Sequence, residues 1–151
     1  MSATGRLQAN EFGGGAQNNT IGSGGIFWSP NGLRIAFSAR DTCPVPTCPF
    51  AYNPCRIKWV FSDPALGSTV FKLTFNGAAA DSKDYNPSWS PLGGYVYYDR
   101  SDVHIRRKGV PGLSGDTTDV LIIGGTESKT LAQISPNGDS LAYIQAVSGL
   151  G

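Results

Sequence analysis

The segment that most narrows the folding options is residues 28–40, WSPNGLRIAFSAR, because its plan recurs twice further along the chain. Ser-Pro pairs stand at Ser29-Pro30, Ser90-Pro91 and Ser135-Pro136. A short stretch precedes each: Ile26-Phe27-Trp28, Pro87-Ser88-Trp89 and Leu131-Ala132-Gln133-Ile134. Turn residues follow each: Asn31-Gly32, Leu92-Gly93-Gly94 and Asn137-Gly138. Asn-Gly is a strong hairpin signal, since both residues accept positive φ. In the second copy Gly93-Gly94 is expected to carry the turn. A second strand then follows, over 33–38, 95–99 and 141–145. In the first of these, Leu33, Ile35 and Phe37 fall on one face and Arg34, Ala36 and Ser38 on the other, the period of 2 that marks a β-strand.

Two more strand candidates lie between the first two markers. Over 56–61, Ile57, Trp59 and Phe61 alternate with Arg56, Lys58 and Val60. Over 70–75, Phe71, Leu73 and Phe75 share a side. Segments 103–107 and 120–123 take the same two places after the second marker. Each repeat therefore reads as inner strand, turn, second, third and fourth strand. After the third marker, two strands fit before Gly151. Pro30 and Pro91 are 61 positions apart, and Pro91 and Pro136 are 45 apart. A period of about 40–45 residues is that of four-stranded propeller blades. The longer interval holds DTCPVPTCPFAYNPC at 41–55, read as a Cys/Pro-rich loop insertion between two strands.

The expected fold class is therefore all-β: antiparallel four-stranded β-propeller blades, about 2.5–3 of them per chain. Residues 1–25 are a Gly- and Asn-rich lead-in with one strand candidate near 5–12, and 26–151 hold the blades. Composition agrees. Twenty Gly, ten Pro and 11% aromatic residues suit short strands and tight turns, whereas Gly and Pro cost about 1 and 3 kcal/mol relative to Ala inside a helix. A length of 151 residues and a formal charge of +1, with 15% charged residues, fit one domain. They give no electrostatic case for nucleic acid or an anionic membrane. The N-terminal stretch lacks an apolar h-region, so no signal peptide is expected in this chain. No apolar run approaches the roughly 18 residues of a membrane span, and the chain is expected to be soluble as given.

NPSWSPLGGYVYYDR (86–100) and FWSPNGLRIAFSAR (27–40) resemble the repeat of TolB-like, or PD40-type, β-propellers. That repeat runs Pro-x-Trp-Ser-Pro-Asp-Gly, a variable pair, and an apolar strand with a polar-Asp-Arg tail. AQISPNGDSLAYIQ (132–145) is a third copy with Ile134 in the place of Trp, and STVFKLTFNGAAADSKDYNPSWSP (68–91) matches the Leu-Thr strand that leads into the next blade. The family's turn Asp is Asn31, Leu92 and Asn137 here. Propellers close with 4–8 blades, so the ring is expected to be completed by another chain or by further sequence. The six blades of the family imply a two-chain ring as one solution. The resemblance also implies a periplasmic or cell-envelope setting and protein partners.

Cys43, Cys48 and Cys55 stand at C-x4-C-x6-C. A metal site with His104 as fourth ligand needs tighter pairing than this, so no metal and no cofactor are expected. A disulfide between two of the three cysteines in an oxidising compartment, or free thiols, are the readings kept. His104, the only histidine, is expected exposed on a strand, opposite Val103 and Ile105. No G-x-S-x-G nucleophile elbow occurs. The expected inner strands at 26–28, 87–89 and 131–134 hold no Asp or Glu, and Asp81/Asp84 and Asp99/Asp102 read as solvated turn residues. Trp28 and Trp89 read as packing between blades. Asp99-Arg100 and Arg40-Asp41 read as inter-strand ion pairs that fix register, RRKG (106–109) as a solvated basic strand end, and Asn18-Asn19-Thr20 as a formal glycosylation sequon. The functional expectation is a non-enzymatic protein-binding or scaffolding module, as a homo-oligomer or part of a longer chain, with no catalytic residues. The alternative is a fragment of an enzyme's propeller domain, such as that of a prolyl-oligopeptidase-like serine peptidase.

Overall fold

A computed structural model describes residues 26–40, 55–75 and 83–146. The first sheet contains β1 (Ile26–Trp28), β2 (Arg34–Arg40), β3 (Cys55–Phe61) and β4 (Phe71–Lys72). The second contains β5 (Asp84–Trp89), β6 (Tyr95–Arg100), β7 (His104–Gly109) and β8 (Asp119–Ile123). The third pairs β9 (Lys129–Ile134) with β10 (Leu141–Gln145). Within each sheet every strand pairs antiparallel with its sequence neighbour. The only helical element among the described residues is a 3-10 turn at Pro64–Leu66, capped by Asp63. The chain is therefore all-β, with two antiparallel four-stranded sheets and a two-stranded pair. The six-residue β5 starts at Asp84, three residues ahead of the start at 87 expected for this strand, so the strand expected to hold no Asp or Glu does carry one.

The repeated Ser-Pro motif forms one turn three times. The Gly32, Gly93 and Gly138 amides donate to the carbonyls of Ser29, Ser90 and Ser135 at 2.8, 2.8 and 2.9 Å. Each serine hydroxyl also accepts the amide at or just before the start of the next strand, from Arg34, Tyr95 and Ser140, at 2.9, 3.0 and 2.9 Å. Serine first, proline second and glycine fourth is the residue choice of a type I turn. Only the glycines are left-handed, at φ 70°, 72° and 84°, so the expected pair of positive-φ residues at Asn-Gly is replaced by a single one. The asparagines serve the turn through their side chains instead, since Asn31 and Asn137 accept the Ser29 and Ser135 hydroxyls at 2.9 and 2.6 Å. Leu92, which cannot do so, stands almost wholly exposed.

The sheets stack in chain order, with β5 against β1, β2 and β3, and β9 against β5, β6 and β7. Register sets the faces. The row Phe27, Ala36, Trp59, Phe71 crosses the first sheet on the side of the second. There Ala36, Ile57, Trp59 and Leu73 meet Trp89, Val96, Tyr98 and Val110. The row Trp28, Ile35, Val60 lies on the opposite face. Both faces of β2 are buried, Ala36 and Ser38 on one and Ile35, Phe37 and Ala39 on the other, so the polar face expected from alternation is interior. Successive turns also line up: a Cβ on Gly93 would sit 3.8 Å from Pro30 Cδ, and one on Gly138 3.7 Å from Pro91 Cγ.

Candidate functional site

Each strand of the second sheet contributes at least one charge to a polar network on the face toward the first sheet. Fully buried Asp84 receives Arg100 Nε and Nη2 at 2.7 and 3.2 Å. Arg100 Nη1 reaches Asp119 Oδ2 at 3.0 Å, and Arg106 Nε donates to Asp119 Oδ1 at 2.7 Å. Arg100 Nη2 also donates to the Tyr98 hydroxyl at 3.1 Å. These groups are brought together by register, since Asp84 faces Arg100 and Tyr98 faces Arg106 across neighbouring strands. Burial, the largest influence on Asp119, pushes its carboxyl up. Hydrogen bonds from Arg106 and Tyr98, with the Arg100 and Arg106 charges, outweigh it and hold Asp119 below the usual carboxylate range. Burial and the bond to Asp119 push Tyr98 far above the ordinary phenol range. Burial works against the Arg100 charge, and Asp84 more than offsets it, so Arg100 is held above its usual value. Chemically the network is a clamp: its carboxylates are occupied by guanidinium groups.

A second polar centre faces the third sheet. Asp99 is fully buried. Its Oδ2 accepts the Asn86 side-chain amide and the Leu131 backbone N–H, the latter at 3.0 Å, while Oδ1 has no hydrogen-bond partner. Burial raises this carboxyl above the ordinary range, and the bonds from Asn86 and Leu131 only partly oppose it. Asn86 and Leu131, 45 positions apart, occupy the same place in successive repeats, and both are left-handed, at φ 49° and 57°. A left-handed conformation costs an L-residue roughly 1–2 kcal/mol. In the third sheet it aims the Leu131 amide across the seam at Asp99. In the second sheet it accompanies a register shift between Tyr85 and Ser88.

An aromatic layer separates the first two sheets. Trp59 and Phe71 stack at 4.2 Å, Phe61 stands edge-on to both, and Arg34 lies 5.3 Å from the Trp59 and Phe61 ring centres. Trp89 is 6% exposed and donates its indole N–H to the Phe27 carbonyl at 3.1 Å, from the second sheet to the first. Trp89 thus packs between two sheets. Trp28 does not and is 60% exposed, because no described strand lies against β1 on that side.

The structure revises several expectations. Asp84 and Asp99 are buried network members, not solvated turn residues, since both are carried inside strands that pack on both faces. Asp102 is exposed, and Asp81 lies outside the described residues. Arg100 does form the expected register pair, but with Asp84 and not with Asp99. RRKG is the half-buried middle of the sheet: Arg106 binds Asp119, Arg107 lies 4.4 Å over Tyr95 and Lys108 lies 6.0 Å from Phe75. His104 is half-buried and its Nδ1 is enclosed without a hydrogen-bond partner. Cys55 opens β3 as a buried free thiol, and Cys43, Cys48, Asp41 and the sequon at Asn18 lie outside the described residues. Among the described residues, no three His, Cys, Asp or Glu side chains gather as metal ligands, and no helix is long and apolar enough to cross a membrane. The signal for the clamp was present in sequence as one or more charges within each of DYNPSW, YVYYDR, HIRRKG and DVLII, but only register joins them.

No protein-family model matches the chain, and no curated protein does. Among solved structures, it is similar to hydrazine synthase of Kuenenia stuttgartiensis, with 14% identity and a TM-score of 0.56, over 83% of this chain and 46% of that one. The chain thus spans less than half of that protein's length. At such identity the likeness concerns the fold alone, and what it supports is a β-rich fold.

Proposed function

We propose that the sheets are successive blades of a TolB-like β-propeller, and that the chain is a non-enzymatic protein-binding or scaffolding module of a bacterial periplasm or cell envelope. The observation that carries this reading is the row of Ser-Pro turns. The same turn recurs in three stacked sheets, with Pro30 beside Gly93 and Pro91 beside Gly138. Such stacking gathers loops of equal kind along one edge, a surface suited to another protein. The buried carboxylates of the second sheet are directed inward, Asp84 to Arg100 and Asp99 to the seam with β9, which is structural use.

Turnover measurements test this reading. Purified chain and Asp99→Asn are assayed against ester, peptide and glycoside substrates. We expect no turnover that differs between the two. Turnover that Asp99→Asn abolishes would sink the module reading. The second reading, part of an enzyme's propeller domain, draws on the partial coverage of a longer chain whose name is that of an enzyme. A hydrolase segment with Ser, Asp and His in the same reading frame would favour it.

A further inference from the structure

The turns of the three sheets meet in one continuous edge. The Ser62 amide donates to the Leu33 carbonyl at 3.0 Å, which ties the 62–67 loop to the first Ser-Pro turn. Pro30 of that turn lies beside Gly93 of the second. The Val110 amide donates to the Gly94 carbonyl at 2.9 Å, which ties in the 110–114 loop, and Pro91 lies beside Gly138 of the third turn. Four leucines belong to this edge: Leu33 and Leu66 from the first sheet, Leu92 and Leu113 from the second. Each is at least 40% exposed, and Leu92 is 98% exposed. The edge follows strand ends, so a sheet packed beside the first or the third would leave it uncovered.

Leu92 serves neither its turn nor the core. In the same place Asn31 and Asn137 accept the hydroxyl of their own serine, a bond worth about 1 kcal/mol net. Leucine forgoes that bond and gains no burial. A cluster of exposed apolar side chains marks an interaction surface.

The charges at the edge are of one sign. Its loops carry Asp63, Asp116 and Asp139, and segments 29–33, 62–70, 90–94, 110–118 and 135–140 contain no Lys or Arg. All three acids are exposed. They accept from neutral donors: the Ala65 amide, the Thr118 amide and hydroxyl, and the Asn137 side-chain amide. None joins an ion pair among the described residues. Arg34 and Arg107, on the strands behind, lie over aromatic rings. The whole chain has a formal charge of +1, so the acidic character is local. Apolar and acidic residues also interleave, since Asp63 is three positions from Leu66 and Asp116 three from Leu113.

We propose that this edge docks a basic, leucine-rich segment of another protein, whose apolar side chains cover Leu92 and Leu113 and whose Lys or Arg side chains reach Asp63 and Asp116. The inference rests on the module reading and gives its partner a chemistry.

Fluorescence anisotropy tests it with three labelled probe peptides, alternating Leu and Lys, Leu and Glu, and Ser and Lys. The Leu/Lys peptide is expected to bind about tenfold or more tightly than either of the others. Leu92→Asn, which gives the second turn the residue of the other two, and Leu113→Ser are each expected to weaken it about fivefold or more. Asp63→Asn combined with Asp116→Asn keeps the side-chain acceptors and is expected to remove most of the salt dependence of binding. Circular dichroism checks that each variant is folded. A Leu/Lys peptide that fails to bind, a control peptide that binds as tightly, or binding that no substitution weakens would overturn the proposal. So would self-association of the peptide-free chain, read by sedimentation, that Leu92→Asn abolishes, since a second copy would then hold the edge. None of these results touches turnover, which the substrate assays decide separately.

Discussion

At the scale of single residues, two aspartates of one sheet have opposite pH behaviour. Asp99 is raised by burial, so its folded value lies above the unfolded value near 3.9. The folded state then holds a proton that the unfolded state releases. This contribution is fully present below the unfolded value and is lost as pH rises through the folded one. Asp99→Asn should remove that slope. Its urea midpoint at pH 7 should equal or exceed wild type, and the difference should shrink or reverse as pH falls toward 4. Asp119 is lowered mainly by its Arg106 bond, against the effect of burial. Its stabilisation is present above the unfolded value and is lost as pH falls through the folded one. Asp119→Asn should cost about 2 kcal/mol at pH 7, because Arg100 and Arg106 lose their shared partner in a half-buried site. That deficit should fade in acid. A wild-type pH slope unchanged by either substitution would refute the assignment. The carboxylates were legible as residues but not as buried ones, because an Asp at the end of an alternating strand looks the same whether water or another sheet covers it.

At the scale of elements, the turn and the strand end are where geometry is least forgiving. The Ser90 hydroxyl satisfies the Tyr95 amide, so Ser90→Ala should lower stability by about 1 kcal/mol, the net worth of such a bond. Gly109, the last residue of β7, is tighter: an added Cβ would lie 1.6 Å from the Asp116 carbonyl oxygen. That contact is with backbone and cannot be relieved by a rotamer change. Gly109→Ala should therefore destabilise by about 3 kcal/mol or more, read from chemical denaturation. A loss below 1 kcal/mol would show that the 110–118 loop adapts freely. The strands themselves were readable from alternation and from Gly and Pro punctuation, with ends within a few residues. The largest misses are the end of β4, expected at 75 and found at Lys72, and the start of β5, concealed because Asn86 precedes a proline and yet adopts φ 49°, outside the extended region that such a position favours.

At the scale of the whole molecule, stability is expected to follow the stack. The second sheet is covered by the first on one face and by β9 on the other, while β10 is exposed along most of its length. Hydrogen exchange should find the greatest protection in β6 and the inner positions of β7, and the least in β10, whose amides should open well below the global unfolding free energy. Uniform protection across the sheets would contradict this order. The contrast between Trp89 and Trp28 belongs to this scale too. Both stand in the same Trp-Ser-Pro-x-Gly motif, and one is enclosed because another sheet stands in front of it.

Strand positions, their order and the turn that joins the first two strands of each repeat were all written into the chain, since side-chain alternation and the needs of a Ser-Pro-x-Gly turn are local properties. The residues that pack the seam were marked in the same way. Which of them are covered emerged only when the sheets came together, and which Asp meets which Arg emerged only from the register of neighbouring strands within the second sheet. Burial depends on what lies about 10 Å away across a sheet interface, and residues dozens of positions distant supply it.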